Sequence, residues 1–188
     1  MTPDSDEILM GALAGGDDLA LNDLMSRWQA PLRGFLYRYT QNEQDACDLA
    51  QEAFVRIYQQ RVRYRPGARF STWMFQIALN LARSRARWSK RHSTASMDDE
   101  STDTSLIDFA TEVSPSDSSL EAEKVTAVKA AIAALPSDLR EAVIMAEYEE
   151  KSQAEIAIIA GTTAKGVETR LYRARKLLRV SLERYFRT

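Results

Sequence analysis

The sequence predicts an all-α protein, and three observations carry that expectation. Apolar residues recur at intervals of three and four along nearly the whole chain, the period of helices with one buried face. No segment alternates apolar and polar residues as a half-buried strand does. Glycine and proline number only 7 and 5 in 188 residues. The helices group into two small units, residues 1–92 and 119–188, joined by a segment over residues 93–118.

A first helix is expected from near Asp17 to about Thr40, with Pro31 a point where it can break. A second runs from Glu43 to Arg63. Its residues Ala46, Leu49, Ala50, Ala53, Phe54, Ile57 and Tyr58 form one buried stripe. The run RPGAR, residues 65–69, interrupts the chain. A third helix starts near Phe70, buries Trp73, Met74, Ile77, Ala78 and Leu81, and ends in a basic tail of Arg83, Arg85, Arg87, Lys90 and Arg91. Phe70, Trp73 and Phe75 are candidate platforms for stacking single-stranded bases. Helical spacing favours a core position for Phe70 and Trp73, while Phe75 falls off the stripe.

Residues 93–118 are rich in Ser, Thr and Asp and without period. Such a segment buries too little surface to offset its ordering entropy, so a flexible linker is expected. Leu106, Ile107 and Phe109 are its apolar exceptions. Helices resume at 119–134, behind a capping box of Ser118 and Glu121, and continue at 137–149, 153–160 and 164–186, with Pro136 between the first two.

The net charge of −2 gives no hint of a polyanionic partner, but its distribution does. Nine acidic residues and no Lys or Arg lie between Asp98 and Glu123, whereas the chain from Lys165 onward is strongly basic. A single cysteine, Cys47, excludes an intramolecular disulfide and fits a reducing compartment. The acidic start MTPDSDEILMG lacks the basic, then apolar pattern of a signal peptide. No apolar run approaches the roughly 20 residues that cross a bilayer, so no membrane insertion and a cytoplasmic location are expected. With one histidine, His92, and no phosphate-binding loop, zinc-spaced Cys/His set or nucleophile elbow, neither catalysis nor a metal or cofactor is expected.

The run SQAEIAIIAGTTAKGVETRLYRARKLL, residues 152–178, reads as a helix, a glycine turn and a basic helix. Ser152 and Glu155 can form a capping box. Ala157 is small where two helices cross, and Gly161 can take positive φ in the turn. Ile156, Ala160, Val167 and Leu171 supply the shared core. Thr163 is placed to cap the second helix. Lys165, Glu168, Thr169 and Arg170 lie toward its N-terminal end, the part that meets base edges in a helix-turn-helix. Arg173, Lys176 and Arg179 lie further along, where charge meets phosphates.

Two further stretches resemble the sigma-70 family of transcription factors. DACDLAQEAFVRIYQQ (45–60) followed by RFSTWMFQIALNLARSRAR (69–87) is similar to that family's second conserved region. LPSDLREAVIM (135–145), followed by the helix-turn-helix, is similar to its fourth. The presence of these two regions alone resembles the extracytoplasmic-function (ECF) subgroup. Cys47 and Ser84 stand where many relatives carry acids, and Lys165, Gly166 and Glu168 depart from the more usual G-T-V-K wording.

The resemblance implies an alternative sigma factor that binds core RNA polymerase and brings it to promoter DNA. It implies that Asp45, Asp48, Gln51 and Glu52 dock on the polymerase. It implies that the loop Arg65, Pro66, Gly67, Ala68 and Arg69, with Asn80 and Arg83, reads the minus-ten element around a flipped base. It assigns the minus-thirty-five element to Thr163, Lys165, Glu168, Thr169, Arg170, Arg173 and Lys176. It routes the acidic linker through the polymerase cleft, and adds an anti-sigma factor as a partner. The alternative is a stand-alone helix-turn-helix regulator, which would need neither the acid-bearing helix nor the loop with Asn80.

Overall fold

The structure, a computed structural model, describes residues 3–65, 69–93 and 118–186, whose regular elements are all helical. The first unit begins with a helix the sequence did not announce, α1 (Pro3–Ala14). Its apolar residues Ile8, Leu9, Met10, Ala12 and Leu13 surround the helix rather than lining one stripe. Met10 and Leu13 are nonetheless fully buried. Asp6 fixes α1 to the next helix by accepting from Arg27 Nη1 (2.9 Å) and Trp28 Nε1 (2.9 Å).

The second helix, α2 (Leu19–Thr40), passes through Pro31 without interruption. Proline removes one backbone bond, but Leu32, Phe35 and Leu36 on the following turn are fully buried. Burying side chains of this size stabilises by about 1.5–3 kcal/mol each, comparable with or above the roughly 3 kcal/mol proline penalty once several act together. Gln41, in the left-handed region at φ 58°, ends α2 and directs its N–H to the Tyr37 carbonyl (2.8 Å).

Asn42 then caps α3 (Glu43–Gln59), its Oδ1 accepting the Asp45 N–H at 2.9 Å. The expected continuation to Arg63 is incorrect: α3 ends at Gln59 and a separate 3-10 turn covers Arg61–Arg63. Gln60 leaves the helical region (φ −103°, ψ 10°), and Arg61 donates to the Tyr58 carbonyl at 2.9 Å, closing the end locally. The buried stripe of α3 is as expected, except that Tyr58 is only half-buried and donates to Asp18 (3.2 Å). Pro66, Gly67 and Ala68 lie outside the described residues. Helix α4 (Phe70–Ser93) follows.

Phe75 is core rather than a stacking platform. It is 1% exposed and meets Phe35 edge-on at 5.1 Å and Trp28 at 6.3 Å. Phe70 is equally buried, while Trp73 is half-buried against Tyr64.

The second unit contains α5 (Ser118–Ala133), α6 (Ser137–Glu147), α7 (Gln153–Ala160) and α8 (Ala164–Phe186), within two residues of the expected bounds. The linker residues 94–117, with Leu106, Ile107 and Phe109, lie outside the described residues, as does the side-chain pairing expected of Ser118 and Glu121. Pro136 opens α6, its carbonyl accepting from Leu139 (3.0 Å) and Arg140 (2.9 Å). Ile144, Ile156, Ile159, Val167, Leu171 and Ala174 form the core beneath α8. The units also meet each other: α7 packs on α4, and α5 and α6 pack on α2.

Candidate nucleic-acid interface

Helix α7 starts with both halves of the capping box. Glu155 N–H donates to Ser152 Oγ at 3.3 Å, and Ser152 N–H donates to Glu155 Oε2 at 3.0 Å. Burial disfavours the Glu155 charge, but these bonds, Lys151 and Arg69 outweigh it and hold the carboxyl below its ordinary pKa. Gly161 sits at φ 67°, in the left-handed region that the turn requires. Thr163 Oγ1 accepts the Gly166 N–H at 3.0 Å and caps α8. Ile156, Ala157, Ala160, Val167 and Leu171 are buried together, so the helix-turn-helix core is as read from sequence.

On α8, Lys165, Glu168, Thr169, Arg173, Arg175, Lys176 and Arg179 are exposed. Lys165 and Glu168 pair at 2.9 Å one turn apart, partly neutralising each other at the N-terminal end. Arg170 is half-buried and lies 3.7 Å from Asp138 of α6, so its reach toward DNA is tied to the unit's own packing. At Gly166 a Cβ would lie 2.7 Å from Thr162 Oγ1, which explains glycine at this unusual position.

Helix α4 carries no acidic side chain. Asn80 is exposed, and Arg83 follows three residues later on the same face. Arg65 and Arg69 flank the segment outside the described residues; both are exposed, and Arg69 pairs with Glu155 at 3.2 Å. Ser84 donates to the Asn80 carbonyl (2.9 Å) and accepts from Arg87 (3.0 Å), so this departure from the usual acid is absorbed locally.

Arg83 does not point free. Its Nε and Nη2 donate to the two oxygens of Glu141 at 2.8 and 2.6 Å, and Nη2 also reaches the Ala160 carbonyl at 3.2 Å. That bond to Glu141 raises the Arg83 pKa further, and burial with Glu141 beside it pushes the Tyr39 phenol to about 12.

On α3, Asp48, Gln51 and Glu52 are exposed, while Asp45 is half-buried against Arg85. Val55 is 50% exposed and completes the i, i+3, i+4, i+7 face begun by Asp48, Gln51 and Glu52. Sequence reading missed Val55, although that spacing was available. Among the described residues no group of three or more His, Cys, Asp or Glu could hold a metal, and no helix is long and apolar enough to cross a membrane.

Residues 24–92 match the family model "Sigma-70 region 2", and residues 126–178 match "Sigma-70, region 4". The chain is 30% identical to the RNA polymerase sigma-H factor of Pseudomonas aeruginosa, covering 97% of this chain and 96% of that protein. The chain belongs to the sigma-70 family. It is 32% identical to the ECF RNA polymerase sigma-E factor of Haemophilus influenzae over 93% of both chains, which puts this sigma factor in the ECF group. The fold resembles that of CnrH in complex with the cytosolic domain of CnrY, with a TM-score of 0.69, 25% identity, and coverage of 95% of this chain and 97% of that one. The protein is therefore an alternative sigma factor that directs promoter recognition by RNA polymerase, and not itself an enzyme. The stand-alone regulator reading is set aside.

Proposed function

We infer that this sigma factor divides its work between three faces. The exposed face of α3, Asp48, Gln51, Glu52 and Val55, docks on a basic surface of core polymerase, with Asp45 contributing at its edge. Acids on an exposed helix face attract a basic partner, and the exposed apolar Val55 adds burial at its C-terminal end. The loop Arg65, Pro66, Gly67, Ala68 and Arg69, with Asn80 and Arg83, engages the minus-ten element. Asn80 can both donate to and accept from a base edge. Helix α8 enters the major groove at the minus-thirty-five element through Thr163, Lys165, Glu168, Thr169, Arg170, Arg173 and Lys176.

The observation that carries this reading is the separation of charge by helix. An acidic exposed face on α3 and the acid-free, basic helix α4 suit two different partners on one chain. Neither DNA grip must be strong alone, because polymerase links the two and raises the effective concentration of each. The linker, cut back to residues 94–117 by α4 reaching Ser93 and α5 starting at Ser118, passes through the polymerase cleft in this reading, its acids suiting a channel built for nucleic acid. An anti-sigma factor is a fitting regulator in this reading; the similarly folded CnrH forms a complex with the cytosolic domain of CnrY. Work on polymerase and promoter DNA puts the protein in the cytoplasm.

Footprinting of the reconstituted holoenzyme tests the division. Protection is expected over two elements, with Arg173→Ala plus Lys176→Ala removing only the upstream one. Loss of both elements together, with the variant still bound to polymerase, would contradict it.

A further inference from the structure

Two buried aromatic side chains stand beside Arg65 and Arg69. Tyr64, 9% exposed, packs against Trp73 at 5.4 Å, and Phe70, 1% exposed, opens α4. Trp28 of α2 meets the Phe70 ring at 6.2 Å and the Phe75 ring at 6.3 Å, edge to face with both. One indole thus touches two points on the first turns of α4. It fixes both where that helix starts and how it is rotated.

Helix α1 holds the indole in place. Asp6 is 6% exposed, and its Oδ2 accepts from Trp28 Nε1 at 2.9 Å while its Oδ1 accepts from Arg27 at 2.9 Å. Arg27 also donates to Ser5 Oγ at 2.8 Å. Both carboxylate oxygens are committed, and bonds to an ionised acceptor are the strong and directional ones. The same helix packs on the turn Arg61–Arg63. Burial, with Glu7 and then Asp6 nearby, pushes the Tyr64 phenol to about 12, so acids of α1 also face the residue that precedes Arg65.

We propose that Asp6 is a positioning residue for minus-ten recognition: acting through Trp28, it sets the placement of α4 and hence of Arg69 and Asn80 against the DNA. This rests on the assignment of Arg69 and Asn80 to the minus-ten element. Asp6 is too deeply buried to meet DNA itself. Arg69 immediately precedes the anchored Phe70, and Asn80 lies about 15 Å further along the same helix, so a shift or rotation at Phe70 reaches both. Recognition groups must be held within about 0.5 Å of their productive geometry. Without the carboxylate, the Trp28 N–H loses its partner and the indole turns to find another. The edge contacts that hold Phe70 and Phe75 then loosen.

The test uses holoenzyme reconstituted with the full chain, and a promoter that the parent protein selects from a random library. Single-base changes are made across its minus-ten and minus-thirty-five elements, and run-off yields are compared. Asp6→Ala is expected to lower discrimination at minus-ten positions at least about fivefold, with minus-thirty-five discrimination and core polymerase affinity unchanged. Trp28→Phe, which keeps an aromatic ring and removes the N–H, should give the same loss. Adding Asp6→Ala to Trp28→Phe should cost nothing more, since the acid acts through that indole. Unchanged minus-ten discrimination in both single variants overturns the proposal, as does a double variant whose loss is the product of the single losses. An equal fall in minus-ten discrimination, minus-thirty-five discrimination and core affinity also overturns it, because that marks a general folding defect. Arg69→Ala and Asn80→Ala separate the two ideas. If they lose minus-ten discrimination while Asp6→Ala keeps it, positioning alone fails. If they keep it, the minus-ten assignment fails and positioning with it.

Discussion

Arg85 on α4 bridges two acids of α3: it lies 2.7 Å from Asp45 and 3.7 Å from Asp48. The acids thus differ in how far they are committed within the protein. Asp45 also has its own N–H held by Asn42, so it belongs to the α3–α4 junction as much as to any partner surface.

This difference predicts a split between neighbouring acids. Asp48→Ala and Glu52→Ala are expected to weaken core polymerase binding several-fold with no measurable change in Tm. Asp45→Asn is expected to lower stability slightly, by no more than about 1 kcal/mol for a part-exposed pair, as well as weaken binding. Competition binding to labelled core polymerase, with thermal melts in parallel, reads both. A Tm loss for Asp48→Ala equal to that for Asp45→Asn would contradict the split.

On α8 the prediction concerns salt. Lys176→Ala removes one phosphate contact and is expected to lower the slope of log affinity against log salt by about 1, uniformly across sequences. Arg170→Ala is expected to weaken minus-thirty-five recognition more than polymerase binding, in a sequence-dependent way. Equal loss of both activities would mark a folding defect through the Asp138 contact instead.

The pH dependence of the unit interface follows from Glu149. Burial pushes its carboxyl from 4.5 to about 7, against the opposing pull of Arg38 and Lys151. The folded protein therefore holds a proton that the unfolded chain releases. The resulting stabilisation is complete below about pH 4.5 and is lost as pH rises through about 7. Urea unfolding midpoints should fall between pH 5 and 8, and Glu149→Gln should flatten that dependence. An unchanged slope in the variant would remove Glu149 as its source.

At Gly166 the usual gain from replacing a helical glycine is expected to be withheld. Gly166→Ala alone must displace Thr162 Oγ1, whereas in a Thr162→Ala background it should stabilise by roughly 0.5–1 kcal/mol. A double-mutant cycle with no coupling would contradict the close contact.

The helix-turn-helix was legible residue by residue, because caps, turn glycine and core spacing all lie within one short run. The buried face of α3 was legible for the same reason. Helix α1 was not, because Ile8 to Leu13 carry no single stripe and Met10 and Leu13 are buried by long-range packing on α2. Pro31 misled because propensity is local while the burial of Leu32 and Phe35 is tertiary. Arg83 was readable as a basic residue on α4, but its partner Glu141 is 58 positions away, and no periodicity reports such a pairing.

The central claim is that this chain gives core RNA polymerase its promoter choice, and run-off transcription on a random promoter library tests it most directly. Active core supplemented with this protein should yield transcripts from a subset of sequences sharing two spaced elements. No promoter-specific transcript, with the same core active under another sigma factor, would contradict the account.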